Sequence, residues 1–176
     1  MANVEHLALL QQGTVIWNEW RKKHPEIQPN LRRAPLRGMH LTGVDFVGAD
    51  LREANLYEAN LSQANLNRAN LNSADLRKVI LEMADLAEAN LISADLRKAN
   101  LAQTNLKSAN LRVAFLRKAN LQGADLTEAN LQGTDLSGVS LKGAKVCQMN
   151  LKTANLAGVD LTEVDWIKAS VSDRLG

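Results

Sequence analysis

The stretch Ala54-Asn55-Leu56-Tyr57-Glu58-Ala59-Asn60-Leu61-Ser62-Gln63-Ala64-Asn65-Leu66-Asn67-Arg68-Ala69-Asn70-Leu71 decides the fold, because it repeats A-(N/D)-L-x-x with a period of five residues. The register runs well beyond it: every fifth residue from Leu31 to Val171 is Leu or, at Phe46, Val146, Trp166 and Val171, another apolar residue. Such a period suits neither regular element. In an α-helix, at about 100° per residue, a five-residue step turns the side chain by about 140° and scatters the leucines round the axis. In a straight strand an odd step sends alternate leucines to opposite faces. The pattern becomes consistent when each A-(N/D)-L triplet is extended, with Ala and Leu inward and Asn or Asp outward, and the next two residues form a bend. The backbone then winds round a core of stacked Leu and Ala.

On the triplets Ala54-Asn55-Leu56, Ala59-Asn60-Leu61, Ala64-Asn65-Leu66 and Ala69-Asn70-Leu71 the chain resembles the pentapeptide-repeat family. The resemblance implies an all-β solenoid, a right-handed quadrilateral parallel β-helix with four pentapeptides per coil and about seven coils, with an N-terminal α-helical cap. With about 4.8 Å between coils the rod would be on the order of 30 to 35 Å long. It also implies that residues 20 apart in sequence stack on one another. The family is abundant in cyanobacteria, and Trp17-Asn18-Glu19-Trp20-Arg21 looks like a segment often placed before such repeats there.

Three regions are expected: residues 1–28 as an amphipathic capping helix and linker, 29–171 as the β-helix, and 172–176 as a short tail. In the first, Leu9, Leu10, Gly13, Ile16, Trp17 and Trp20 recur at three- and four-residue steps, which predicts a helix from about Val4 to Lys23 that Gly13 weakens or bends and Pro25 ends. Its expected work is to cover the first coil with Trp17 and Trp20. A cap is needed because an end coil otherwise exposes apolar surface and unpaired strand edges. At the far end Trp166 is expected to plug the last coil, helped by Ile167; an uncovered end would instead favour an end-to-end homodimer over a monomer.

Eight of the ten glycines share one phase, two residues after the central position: Gly38, Gly43, Gly48, Gly123, Gly133, Gly138, Gly143 and Gly158. Glycine accepts positive φ cheaply, so this bias predicts different corner types in the glycine-free middle and at the ends.

The formal net charge of +2 demands no nucleic acid partner. The single cysteine, Cys147, lies at an outward phase and has no second cysteine to pair with, which favours a reducing compartment. The start Met1-Ala2-Asn3-Val4-Glu5 lacks the features of a signal peptide and no segment is apolar enough to span a bilayer, so a cytoplasmic location is expected.

Chemistry finds little support. His6, His24 and His40 are scattered and far from Cys147, and no metal-ligand spacing appears. The Asp residues mostly sit at the repeat's own Asn/Asp phase, where they serve as local backbone acceptors. Glycines at five-residue intervals do not form a phosphate loop. No catalytic, cofactor or metal residue is therefore assigned, and the chain is read as a non-enzyme.

One surface feature exceeds what the repeat requires. With 20 residues per coil, Arg77-Lys78, Arg97-Lys98 and Arg117-Lys118 stack on a single face. Arg37 extends the Arg column, Tyr57 is expected to interrupt it, and Glu58 heads the Lys column. Ile80 and Phe115 replace Asn or Asp and place apolar groups outside, while Asp75 and Asp95 offer partial neutralisation. Like charges about 5 to 6 Å apart in water repel by roughly 0.7 kcal/mol per pair before screening, a tolerable cost. The phase holding Arg68, Glu88 and Glu128 mixes signs, as an ordinary soluble face does.

These features favour a scaffold or protein-interaction module presenting a rigid surface, with an unidentified acidic protein docked on the Arg/Lys stack. The alternative is peripheral binding to an anionic membrane or to nucleic acid, marked by salt sensitivity. The family also implies a third reading, since some members resemble DNA and modulate type II topoisomerases. That mimicry needs an acidic surface, which this sequence lacks.

Overall fold

The computed structural model describes residues 1–165. Two helices precede a solenoid whose four ladders consist of single-residue parallel bridges, each joining an outward residue to its counterpart 20 positions on, from Asn30↔Asp50 to Lys145↔Asp165. Two backbone hydrogen bonds make the rungs along the body of the rod. For example, the Leu36 N–H donates to Asn55 O at 2.8 Å, and the Asn55 N–H donates to Ala34 O at 3.0 Å. Along the rod the inward Leu and Ala of the repeat are almost wholly buried, from Leu31 to Ala144, and one continuous core results. Thr104 and Thr134 occupy the Ala phase and donate their buried hydroxyls to Leu81 O and Leu111 O. Leu151, Leu156 and Leu161 in the last described coil are only half-buried. The expected plug residues Trp166 and Ile167, and Val171, lie outside the described residues.

From Leu31 to Ala144 every corner closes the same way, which corrects the expectation of two corner types set by glycine. The residue after the bend donates back to the central Leu, as in Ala34 N–H to Leu31 O at 3.0 Å. The second corner residue is left-handed whether or not it is glycine: Gly38 has φ 65° and Gly123 φ 67°, while Glu53 has φ 59°, Ser73 φ 56° and Lys98 φ 60°. Positive φ at that one position is the mark of a type II turn. The cause is the register. A coil must take the same number of residues on every level for its rungs to meet, so the middle keeps the turn and accepts a cost of about 1 kcal/mol at each non-glycine corner. The outward Asn or Asp helps to hold the bend, its Oδ1 accepting the N–H two residues on, as Asn60 does from Ser62 at 3.0 Å and Asp85 from Ala87 at 3.0 Å.

The N-terminal segment forms two helices rather than one bent helix: α1, Val4–Gln11, and α2, Thr14–Lys23. Gly13, with φ 106°, breaks the chain between them, a conformation unfavourable to any residue with a Cβ. The second helix stops before Pro25, which disfavours helical backbone at His24. Trp17 is fully buried and meets Phe46 edge-on, with ring centroids 5.5 Å apart; Trp20 is half-buried against Trp17 and His6. The cap also pairs the open edge of the first coil. The Trp17 indole N–H donates to Asp45 O at 2.7 Å, Asn18 bonds both Gly43 O and the Asp45 N–H, and Arg21 donates to Val47 O. The Asn30 N–H donates to His6 Nδ1 at 2.9 Å, and the Asn3 N–H to Asn30 O. At the equivalent edge position of the next ladder stands Pro35, which has no N–H to satisfy.

Candidate interaction face

The Arg/Lys pairs occupy the corner after Leu76, Leu96 and Leu116, and their residues fall directly above one another because the flanking rungs Asp75↔Asp95 and Asp95↔Phe115 are in register. The six cations do not behave alike. Arg77 forms a fork with Asp75 at 2.8 and 2.7 Å and reaches towards Asp95 at 3.7 Å. Arg97 makes the same fork with Asp95. Lys78 bonds Glu58, one coil earlier, at 2.8 Å. These pairs hold the Asp75 and Glu58 carboxyls below their ordinary values, chiefly through the hydrogen bonds from Arg77 and Lys78, and raise the pKa of both cations.

Tyr57 does not interrupt the column. The Arg37 and Arg77 guanidinium carbons lie 4.9 and 5.2 Å from its ring centroid and the Lys78 ammonium 5.3 Å, so the ring links the cations it was expected to separate. Arg37, Asn55, Tyr57, Asp75 and Arg77 line an open groove of about 250 Å³.

Lower on the same corner the partners run out. Among the described residues Lys98, Arg117 and Lys118 have no carboxylate within 4 Å. The reason is local. Lys98 and Lys118 stack on Lys78 and Lys98, where Lys78 stacks on Glu58. Arg117 follows Phe115 where Arg77 and Arg97 follow aspartates. The next carboxylate on that ladder, Asp135, is hydrogen-bonded by the Ser137 N–H and the Asn155 amide and feels the Arg117 charge only at longer range. From Leu96 to Ala124 the sequence holds no Asp or Glu and six Lys or Arg, a run that the repeat pattern hides because most of its Asn/Asp positions are Asn.

Phe115 is 49% exposed, in the centre of the face before this corner, and Val113, at the preceding corner, is 47% exposed. Ile80, 38% exposed, lies on the face after the column and more than a coil away, so it is not part of the same patch. Val113 escaped sequence reading because corner residues in this repeat are so variable; a β-branched residue at the left-handed phase was the available signal.

The family comparison agrees with this architecture. The family model of pentapeptide repeats matches eight copies spanning residues 30–170, and the chain belongs to that family, whose members fold as right-handed quadrilateral β-helices. Among solved structures it is similar to the pentapeptide repeat protein alr5209 from Nostoc, with 40% identity over 43% of this chain and 62% of that one, under two thirds of its length, and a TM-score of 0.42. It is also similar to Rfr23 from the cyanobacterium Cyanothece, with 30% identity over 85% of this chain and 97% of that one and a TM-score of 0.27. QnrB1, a plasmid-mediated fluoroquinolone resistance protein, matches at 20% identity over 74% of this chain and 86% of that one, with a TM-score of 0.38. No curated protein matches. Among the described residues no helix is long and apolar enough to cross a membrane, and no cluster of His, Cys, Asp and Glu is arranged to hold a metal ion.

Proposed function

We propose that this chain is a non-enzymatic scaffold, a rigid rod that docks an acidic protein partner along the corner bearing Arg77, Lys78, Arg97, Lys98, Arg117 and Lys118. The observation that carries this reading is the alignment of six cations by parallel rungs over one continuous core. Side chains fixed to such a frame need little backbone ordering on binding, so less free energy is lost when a partner docks. A net charge of +2 and a basic column weigh against DNA mimicry, and the likeness to QnrB1 extends to the fold alone.

The test is affinity capture from cell extract with wild type and the triple variant Arg77→Glu, Arg97→Glu, Arg117→Glu, after both give the same circular dichroism. A protein retained by wild type and lost by the variant supports the docking column. Equal retention of every captured component contradicts it.

A further inference from the structure

Two departures from the repeat's local rules, found singly at Ile80 and at Thr153, fall together in one coil. Phe115 takes a position where Asn or Asp normally caps the bend, so no Oδ1 is present to accept the Arg117 N–H. Val113 holds φ 50°, a left-handed conformation that a β-branched side chain adopts with strain. Neither change is repaid by burial, since both side chains are about half exposed. Departures from local consistency that bring no gain in packing concentrate at functional positions. Round this pair stand Arg112, Lys98, Arg117 and Lys118, none with a carboxylate within 4 Å among the described residues.

We infer that Phe115 and Val113, with Arg112, Lys98, Arg117 and Lys118, form the locus of docking, and that its occupant is a short acidic peptide segment carrying an apolar side chain among its carboxylates. The inference rests on the docking reading above and narrows it to one end of the column. Charge complementarity selects the acidic residues, and the exposed ring supplies an apolar anchor that the paired half of the column lacks. The patch is bounded: Asp95 and Asp135 lie next to Phe115 along the rod, and Asp75 and Glu58 lie further up. A nucleic-acid backbone or a flat anionic bilayer would extend across Glu58, Asp75 and Asp135, whereas a short segment touching Lys98, Arg117 and Lys118 passes only Asp95, which Arg97 neutralises.

The test selects random displayed peptides on the full chain and titrates the enriched ones against three variants with wild-type circular dichroism: Phe115→Asp, Arg117→Glu with Lys118→Glu, and Arg77→Glu with Lys78→Glu. Phe115→Asp suits the fold, because Asp already stands at 75, 95 and 135 on the same ladder. It removes the anchor and gives Arg117 a partner at once. The expected peptides combine Asp or Glu with Leu, Phe or Trp and weaken at least about tenfold on the first two variants and less than about threefold on the third. Peptides without acidic enrichment, or indifferent to Phe115→Asp, overturn the inference. Loss on the third variant alone overturns this locus while leaving docking on the column standing. Indifference to both charge reversals overturns both readings. Failure of any peptide to enrich, with phosphatidylserine vesicles retained by wild type and released by Arg117→Glu with Lys118→Glu, overturns the peptide in favour of a lipid surface; failure of both probes to bind overturns it outright.

Discussion

The two ends of the Arg/Lys column share a corner, a turn type and a core, yet Arg77, Lys78 and Arg97 have carboxylate partners and the cations beyond them do not. Arg77, Arg97 and Lys78 are tied to Asp75, Asp95 and Glu58. Among the described residues Lys98, Arg117 and Lys118 have no ion pair within 4 Å, and Phe115 stands where the carboxylate would be. The contrast teaches that a repeat protein's surface is set residue by residue at positions its frame leaves undetermined. Identical backbone presents a neutralised ladder in one place and an available one a coil away.

If the halves differ only at the surface, the core beneath them should respond alike. Leu76 and Leu116 are both fully buried, so Leu76→Ala and Leu116→Ala should each cost about 3 to 5 kcal/mol in denaturant unfolding. A difference between them above about 1 kcal/mol would break the comparison by showing unequal packing.

Smaller changes sharpen it. Asp75→Asn keeps an acceptor for the Arg77 N–H but loses the ionic fork, and should cost about 1 kcal/mol at neutral pH. The sign of its pH dependence follows from the lowered Asp75 pKa. The contribution is present above the unfolded value near 3.8 and is lost as pH falls through the lower folded value, so the stability gap between wild type and variant closes only in strong acid. Phe115→Asp should do the reverse and stabilise by up to about 1 kcal/mol, because Arg117 then gains the fork and the backbone acceptor that Arg77 and Arg97 have.

Val113→Gly should stabilise by about 0.5 kcal/mol, the relief of left-handed strain outweighing the added freedom of the unfolded chain. The neighbouring exchange Gly133→Ala should destabilise by a similar amount, since its Cβ would lie 3.1 Å from Val113 Cγ1 at φ 69°. Smallest of all, Lys98→Met removes one of two stacked unpaired ammonium groups and should stabilise by a few tenths of a kcal/mol at low salt, an effect that 0.5 M salt erases. Thermal melts at the two ionic strengths read it directly.

Much of this was legible in sequence. Period five, with Ala and Leu inward, dictates a winding chain, and Trp17 and Trp20 announce a cap. The uniform corner was not legible, because the glycine bias suggests a choice of turn that register forbids. Nor was the hydrogen bonding of Asn18, Arg21 and His6 to the first coil, since a polar residue on a helix carries no sign of the strand edge it will meet. In the column the stacking followed from the 20-residue coil that the family resemblance implies. Which cations were paired did not, because forks within one coil and bridges between coils compete, and only side-chain geometry decides between them.

The central claim is that the unpaired end of the column, and not the paired end, receives the partner. The most direct measurement is the amide chemical-shift perturbation of the labelled full chain on addition of an enriched acidic peptide. The largest shifts should fall between Arg112 and Lys118 and at Lys98, with little change at Tyr57, Glu58, Arg77 and Lys78. Shifts concentrated round Tyr57 and Arg77, or spread evenly over the rod, would contradict the account.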